Sequence, residues 1–160
     1  MPRRLTVVSA RAMPHSREAV REAIWDIKSI ELTERKADHV EVHPDTPRRG
    51  LYRVHGHFAG VPWRNAFIYE LNDGGFHSRN ADVAAEEATI EGGFIVTPLA
   101  DGCTVIHYEQ YVLAPWLRPV ALLVRGYLRW SMRGELRDLE RLVAAGGRVE
   151  SATPTAVLAQ

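Results

Sequence analysis

The sequence predicts an α+β domain in which a seven-stranded antiparallel sheet is closed by one long C-terminal helix. Three observations carry that prediction. Pro115–Ala145 holds the longest helical pattern: from Leu117, apolar residues recur at Val120/Ala121, Val124, Leu128, Met132, Leu136/Leu139 and Leu142/Val143. From His39 onward the apolar period is two, and turn residues interrupt it at short intervals. Ser16–Ile30 forms a shorter amphipathic helix after an opening strand. The long helix must bury its stripe, and a sheet is what the rest of the chain offers.

The 160 residues suffice for one domain with a real core, taken as 1–147, with 148–160 expected as a disordered tail. Formal net charge is zero, so the global basic signature of a nucleic-acid binder is missing. The lone Cys103 excludes an internal disulfide and fits a reducing cytoplasm, the expected location. MPRRLTVVSARA starts basic, but its apolar run is too short for a signal peptide. Trp116–Val124 is too short to span a bilayer and is interrupted by Arg118 and Pro119. No phosphate loop, dinucleotide fingerprint, nucleophile elbow or cysteine zinc pattern occurs.

Taken in order, Leu5–Ala12 is a β-branched strand. Ser16 is a good N-cap, and Val20, Ala23, Ile24 and Ile27 form one helical face. Ser29–Asp38 reads as a second short helix or a loop. In the next strand Val40 and Val42 oppose His39, Glu41 and His43. Tyr52, Val54, Gly56 and Phe58 then share a face, as do Trp63, Asn65, Phe67, Tyr69 and Leu71, and Phe76, Ser78 and Asn80. Pairing Val42 with Tyr52 puts Glu41 opposite Arg53 and His39 opposite His55. Phe58 opposite Trp63, across a four-residue loop, and Leu71 opposite Phe76 keep those faces consistent. Val83–Glu87 is a polar connection. The sixth strand carries Ile90, Phe94 and Val96, with a bulge expected at Gly92–Gly93. The last hairpin turns near Asp101–Gly102 and allows two facings. The preferred one turns Ile106, Tyr108, Gln110 and Val112 inward and keeps Glu109 out; the other turns His107 and Glu109 in. Pro119 suits only a first helical turn, and Gly146–Gly147 stops the final helix.

This order, framed by MPHSREAVREAIWDI and by DGCTVIHYEQYVLAPWLRPVALLVRGYLRWSMRGELRDLERLV, resembles the helix-grip fold of the START-like superfamily, also called SRPBCC. More narrowly it looks like that superfamily's bacterial polyketide cyclase/dehydrase and lipid-transport group. The resemblance covers roughly residues 5–145 and is one of topology. It implies a curved sheet wrapped around the long helix, with one or two short helices after strand one. Between sheet and helix it implies a cavity for sterols, lipids, polyketides, quinones or hormone-like molecules, with no cofactor. It brings no universal catalytic residues to carry over.

The residues fit such a cavity. Tyr52, Trp63, Phe67, Tyr69 and Phe94 would supply apolar wall, with Val124 and Leu128 from the helix. Asn65, Ser78, Asn80 and Gln110 would supply polar contacts; the alternative is that one or two of Asn65, Ser78 and Asn80 sit at strand ends in solvent. His107 and Glu109 could act as an acid–base pair, with Tyr108, Tyr52 or Tyr69 donating to an oxyanion. The plain alternative puts His107 and Glu109 on the convex face, as the preferred register does. His39, Glu41, His43, His55 and His57 share a face, but no spacing matches a metal signature, so no metal is expected. Trp116, Leu123, Tyr127 and Trp130 form a second apolar stripe. It would close the cavity mouth, meet a membrane or a second copy, or, as preferred, be covered by sheet and first helix.

Three functions follow: a carrier for a hydrophobic small molecule or lipid; a cofactor-free cyclase, aromatase or dehydratase; and a membrane-associated accessory protein for a quinone or lipid. The facing of strand seven discriminates between the first two. His107 and Glu109 turned inward near a tyrosine favour the enzyme.

Overall fold

The structure, a computed structural model, describes residues 4–81 and 89–146. The polar connection Val83–Glu87 and the tail 148–160 lie outside the described residues. The elements are β1 (Arg4–Met13), α1 (Arg17–Trp25), a 3₁₀ turn (Ile27–Ser29) and α2 (Ile30–Thr33). Strands β2 (His39–Thr46), β3 (Arg49–Phe58), β4 (Val61–Asn72), β5 (Gly75–Asn80), β6 (Ile90–Leu99) and β7 (Gly102–Val112) follow. A 3₁₀ segment (Pro115–Val120) then leads into α3 (Ala121–Ala144).

All seven strands join one antiparallel sheet in the order β1-β7-β6-β5-β4-β3-β2. This is the expected helix-grip architecture. Ser16 caps α1 by accepting from the Ala19 N–H at 3.2 Å. Val20, Ala23 and Ile24 of α1 join Val40, Val54 and Val105 of the sheet and Leu136, Leu139 and Val143 of α3 in the main core. Leu128 and Met132 pack with Val7 of β1 in a second cluster. The C-terminal half of α3 thus anchors the helix, packing on β1, α1 and α2.

The β2–β3 and β4–β5 registers match the predicted pairs. The β3–β4 register is two residues off: Phe58 faces Val61 rather than Trp63. The turn is the two-residue Ala59–Gly60, with φ of 50° and 82°, the positive-φ hairpin geometry that matches strand twist. A slip of two preserves every face, so Tyr52, Val54 and Phe67 stay inward. The last hairpin overturns the preferred facing. Val96 pairs with Val105 and Phe94 with His107, so His107 and Glu109 are buried while Tyr108 and Gln110 lie on the convex side. Ala100–Asp101 forms the loop, and Gly102 begins β7 at φ 138°, a conformation that side chains rarely adopt.

Three smaller expectations also change. Pairing runs unbroken through Gly92–Gly93, and the irregularity lies at Pro44–Thr46 instead. The Ser16–Ile30 helix breaks after Trp25. The predicted Pro115–Ala145 helix opens as a 3₁₀ segment because Pro119 cannot donate to an α-turn. The stripe Trp116–Trp130 is not covered: Trp116, Leu123 and Trp130 are exposed.

Met132→Ala or Leu136→Ala should cost about 2–5 kcal/mol in urea unfolding, because each side chain is fully enclosed. Leu122→Ala, on the open side of the same helix, should change stability by less than about 0.5 kcal/mol.

Candidate functional site

Between the concave sheet and the N-terminal half of α3 lies a cavity of about 410 Å³. Its walls are largely apolar. Tyr52, Phe67, Trp63, Phe76 and Phe94 come from the sheet, and Leu117, Val124 and Leu128 from the helical side. Tyr52 stacks on Phe67 at 5.2 Å and donates its hydroxyl proton to Ser78 Oγ at 3.1 Å. Phe58, which also lines the cavity, meets Tyr127 edge-on at 5.2 Å, and the Ala59 N–H donates to the Tyr127 oxygen at 3.1 Å.

Most of the cavity's charge is gathered at one end, where Glu34, Lys36, His107, Glu109 and Tyr111 line it together; Glu91, paired with Arg4, also borders the cavity. Alternation along β7 aims His107, Glu109 and Tyr111 at the same side. Lys36 arrives from the loop after α2. Its carbonyl accepts from Trp63 Nε1–H at 2.9 Å and from the His57 N–H at 3.2 Å. Glycine is required at position 56, where a Cβ would sit 1.8 Å from that carbonyl oxygen. The backbone clamp delivers the Lys36 ammonium to Glu109 Oε1 at 2.7 Å, with Glu135 Oε1 at 3.6 Å. Tyr111 donates to Glu109 Oε2 at 2.6 Å, and Ser131 to Glu135 Oε1 at 2.8 Å. Gly92 lies opposite Glu109 and leaves room for its side chain, since a Cβ there would meet Glu109 Cγ at 3.2 Å.

His107 stacks on Phe94 at 4.2 Å. Its Nε2 is 3.7 Å from Glu109 Oε1, and its Nδ1 is 3.2 Å from Glu135 Oε2. That second approach lies outside hydrogen-bond geometry, and among the described residues neither atom has another hydrogen-bond partner.

Burial acts oppositely on these groups. It pushes Glu109 up, but Lys36, His107 and the Lys36 and Tyr111 hydrogen bonds outweigh it and hold the carboxyl at about 2. It pulls Lys36 down, but Glu109 and Glu135 outweigh it and raise the ammonium well above its ordinary range. Burial wins at His107, which is lowered despite both carboxylates and is neutral at pH 7. It also wins at Glu34, pushed up to about 8 against Lys36 and with repulsion from Glu135 and Glu109. Glu34 is enclosed by protein yet open to the cavity, which accounts for its half-buried surface. At neutral pH the cavity end thus presents a protonated carboxyl, a neutral imidazole, an ammonium and an ionised carboxylate.

Of the residues anticipated from sequence, Tyr52, Trp63, Phe67, Ser78, Phe94, Val124 and Leu128 line the cavity. Asn65, Tyr69, Asn80 and Gln110 do not. Asn80 Nδ2 donates to Asn65 Oδ1 at 3.1 Å, and Asn80 Oδ1 accepts from the Ile90 N–H at 2.6 Å, which ties β4 and β5 to the start of β6. Tyr108 stacks on His77 on the convex side, with its hydroxyl 2.8 Å from Nδ1. In the histidine group around Glu41, His39, His43 and His57 are exposed and His55 is half-buried; His39 reaches Glu31 at 3.1 Å, and His57 pairs with Asp38 at 2.5 Å. Glu34, Lys36, Tyr111 and Glu135 were not anticipated. Only Glu135 left a sequence signal, sitting between Met132 and Leu139 inside the apolar stripe. Ligand atoms of Glu34, His107 and Glu109 come within 4.8 Å of one another, close enough to share a metal ion. The Lys36 ammonium already supplies the cation there, and a metal would have to displace it.

By sequence, no family model and no curated protein matches the chain. Solved structures do. TTHA0849 from Thermus thermophilus superposes with a TM-score of 0.75 at 18% identity, covering 90% of this chain and 100% of that one. The Zhui aromatase/cyclase from Streptomyces sp. R1128 gives 0.74 at 11% identity, covering 94% and 100%. A STAR-related lipid transfer protein from Xanthomonas axonopodis gives 0.61 at 12% identity, covering 86% and 84%. The chain therefore has the START-like, helix-grip fold.

Glu34 binds its proton in the folded protein up to about pH 8, whereas the unfolded chain releases it near 4.5. Between those values the folded state holds more protons, so this group makes stability fall as pH rises. Glu34→Gln should flatten that part of the Tm-against-pH curve. Glu109 has the opposite sign: its contribution is lost as pH falls from about 4.5 towards 2.

Proposed function

We propose that the protein binds a hydrophobic small molecule carrying a polar group at one end, enclosed between sheet and helix. The observation that carries this is the polarity of the cavity: its walls are mostly apolar and aromatic, while Glu34, Lys36, His107 and Glu109 are gathered together in one part of it. An aromatase/cyclase and a lipid transfer protein with the same fold support a ligand of that class. The bulk of the ligand would lie against Tyr52, Phe67, Phe94 and Val124, with its polar group towards Glu34 and Lys36. Native mass spectrometry of protein purified from its own host should find a co-purifying hydrophobic molecule, displaced by the cavity-filling Val124→Trp. Protein that is reproducibly empty, or Val124→Trp protein that keeps its ligand, would refute the reading.

A second reading, a cofactor-free cyclase, aromatase or dehydratase, is favoured by the inward facing of His107 and Glu109 beside Tyr111. Buried ionisable groups are costly, and a carrier for apolar cargo needs none of them. In a dehydration, neutral His107 would take a proton from carbon next to a carbonyl, and the Lys36 ammonium would stabilise the enolate oxygen. Glu34 would then protonate the departing hydroxyl, releasing water, and solvent would restore both groups. With an aromatic β-hydroxyketone as probe, loss of water should slow about 100-fold or more in His107→Gln. The rate should also decline above about pH 8 as Glu34 ionises. A His107→Gln protein of unchanged rate would exclude this chemistry.

A further inference from the structure

The outer side of the segment Trp116–Trp130 is unlike the rest of the surface. Among the described residues, the three most exposed large apolar side chains are Leu122 at 82%, Trp116 at 75% and Leu123 at 75%. Val120 and Trp130 are exposed beside them. From Tyr111 to Gly134 the chain carries four arginines, Arg118, Arg125, Arg129 and Arg133, and no aspartate or glutamate. All four are exposed, and none has an ion pair among the described residues. Acidic residues return at Glu135, where α3 turns to anchoring, and there Asp138 and Glu140 do find arginine partners. Leu122, Arg125, Arg129 and Arg133 recur at helical spacing, so a row of cations runs along the apolar patch.

Two further features give this face a direction. A second cleft of about 410 Å³ lies beside it, walled by Leu5, Leu113 and Leu122 and flanked by Arg118 and Arg125. Leu113 also lines the main cavity, together with Ala114, Leu117 and Val124 from the same stretch. The exposed patch is therefore the outer surface of the cavity's lip.

We propose that Trp116–Trp130 docks on an anionic lipid bilayer surface. Trp116, Leu122 and Leu123 would enter the boundary between headgroups and acyl chains, with Arg118, Arg125 and Arg129 on the lipid phosphates. Exposed aromatic and leucine side chains flanked by arginine are the composition that such an interface takes. No helix among the described residues is long and apolar enough to cross a membrane, so the contact is peripheral. A second copy fits the patch less well. A two-fold contact would set the same unpaired arginines against each other. Docking would bring the cavity's lip to the lipid phase, from which a hydrophobic molecule could enter without crossing water.

Co-sedimentation with vesicles tests this. The protein should bind phosphatidylcholine vesicles containing phosphatidylglycerol, bind pure phosphatidylcholine vesicles much less, and be released by high salt. Arg118→Ala/Arg125→Ala should weaken binding by roughly 25-fold. Leu122→Ser/Leu123→Ser should weaken it about tenfold or more. Both pairs are exposed, so their folding is not at risk, and circular dichroism checks it. Vesicle binding by protein that native mass spectrometry finds empty of ligand would separate failure of ligand binding from failure of this proposal. Absence of binding to the anionic vesicles would overturn the proposal. So would binding indifferent to both double variants, or a dimer dispersed by Leu122→Ser/Leu123→Ser without vesicle binding.

Discussion

The buried pairing of Lys36 with Glu109 is the constraint on which the interior depends. An ionised carboxylate facing a largely apolar cavity is costly unless a cation meets it there. Lys36 does so at 2.7 Å and is itself held in place through its backbone. The clamp on the Lys36 carbonyl needs Trp63 from β4, His57 from β3 and a glycine at position 56. The loop after α2, strands β3 and β4, and β7 thereby share one electrostatic requirement. Glu135 reaches the same ammonium from α3, so the anchoring half of the helix is tied to it too.

The same pairing separates the ionisation states around it. Lys36 draws Glu109 into its charged form, while burial, joined by repulsion from Glu135 and Glu109, keeps Glu34 protonated near neutrality. His107, pressed on Phe94, stays neutral. Acid and base forms thus coexist a few ångströms apart in a site that holds apolar surface over the rest of its length. Neighbouring titratable groups driven apart in pKa are what acid–base chemistry at neutral pH requires. They would equally orient a bound molecule by its polar end.

The long helix divides its labour along its length. From Leu128 onward its buried face meets the sheet and α1. Before that point it is a lip, apolar inward at Val124 and apolar outward at Leu122 and Leu123.

The fold and most of the cavity wall were legible in the sequence because they rest on periodicity. The 3.6-residue stripe located α3, and the two-residue alternation put Tyr52, Phe67, Ser78 and Phe94 on one face, a placement that survives a register slip of two. The charged end was legible only in part: His107 and Glu109 stood as a candidate pair, but Glu34, Lys36 and Glu135 did not enter. Placing Glu109 outward follows from its charge alone, and the partner that makes it stable inside lies 73 residues away in sequence. Sequence by itself determined which residues share a face. Tertiary structure decided which face of β7 turns inward and which groups meet there, because a buried charge is stabilised by neighbours in space, which local pattern does not specify.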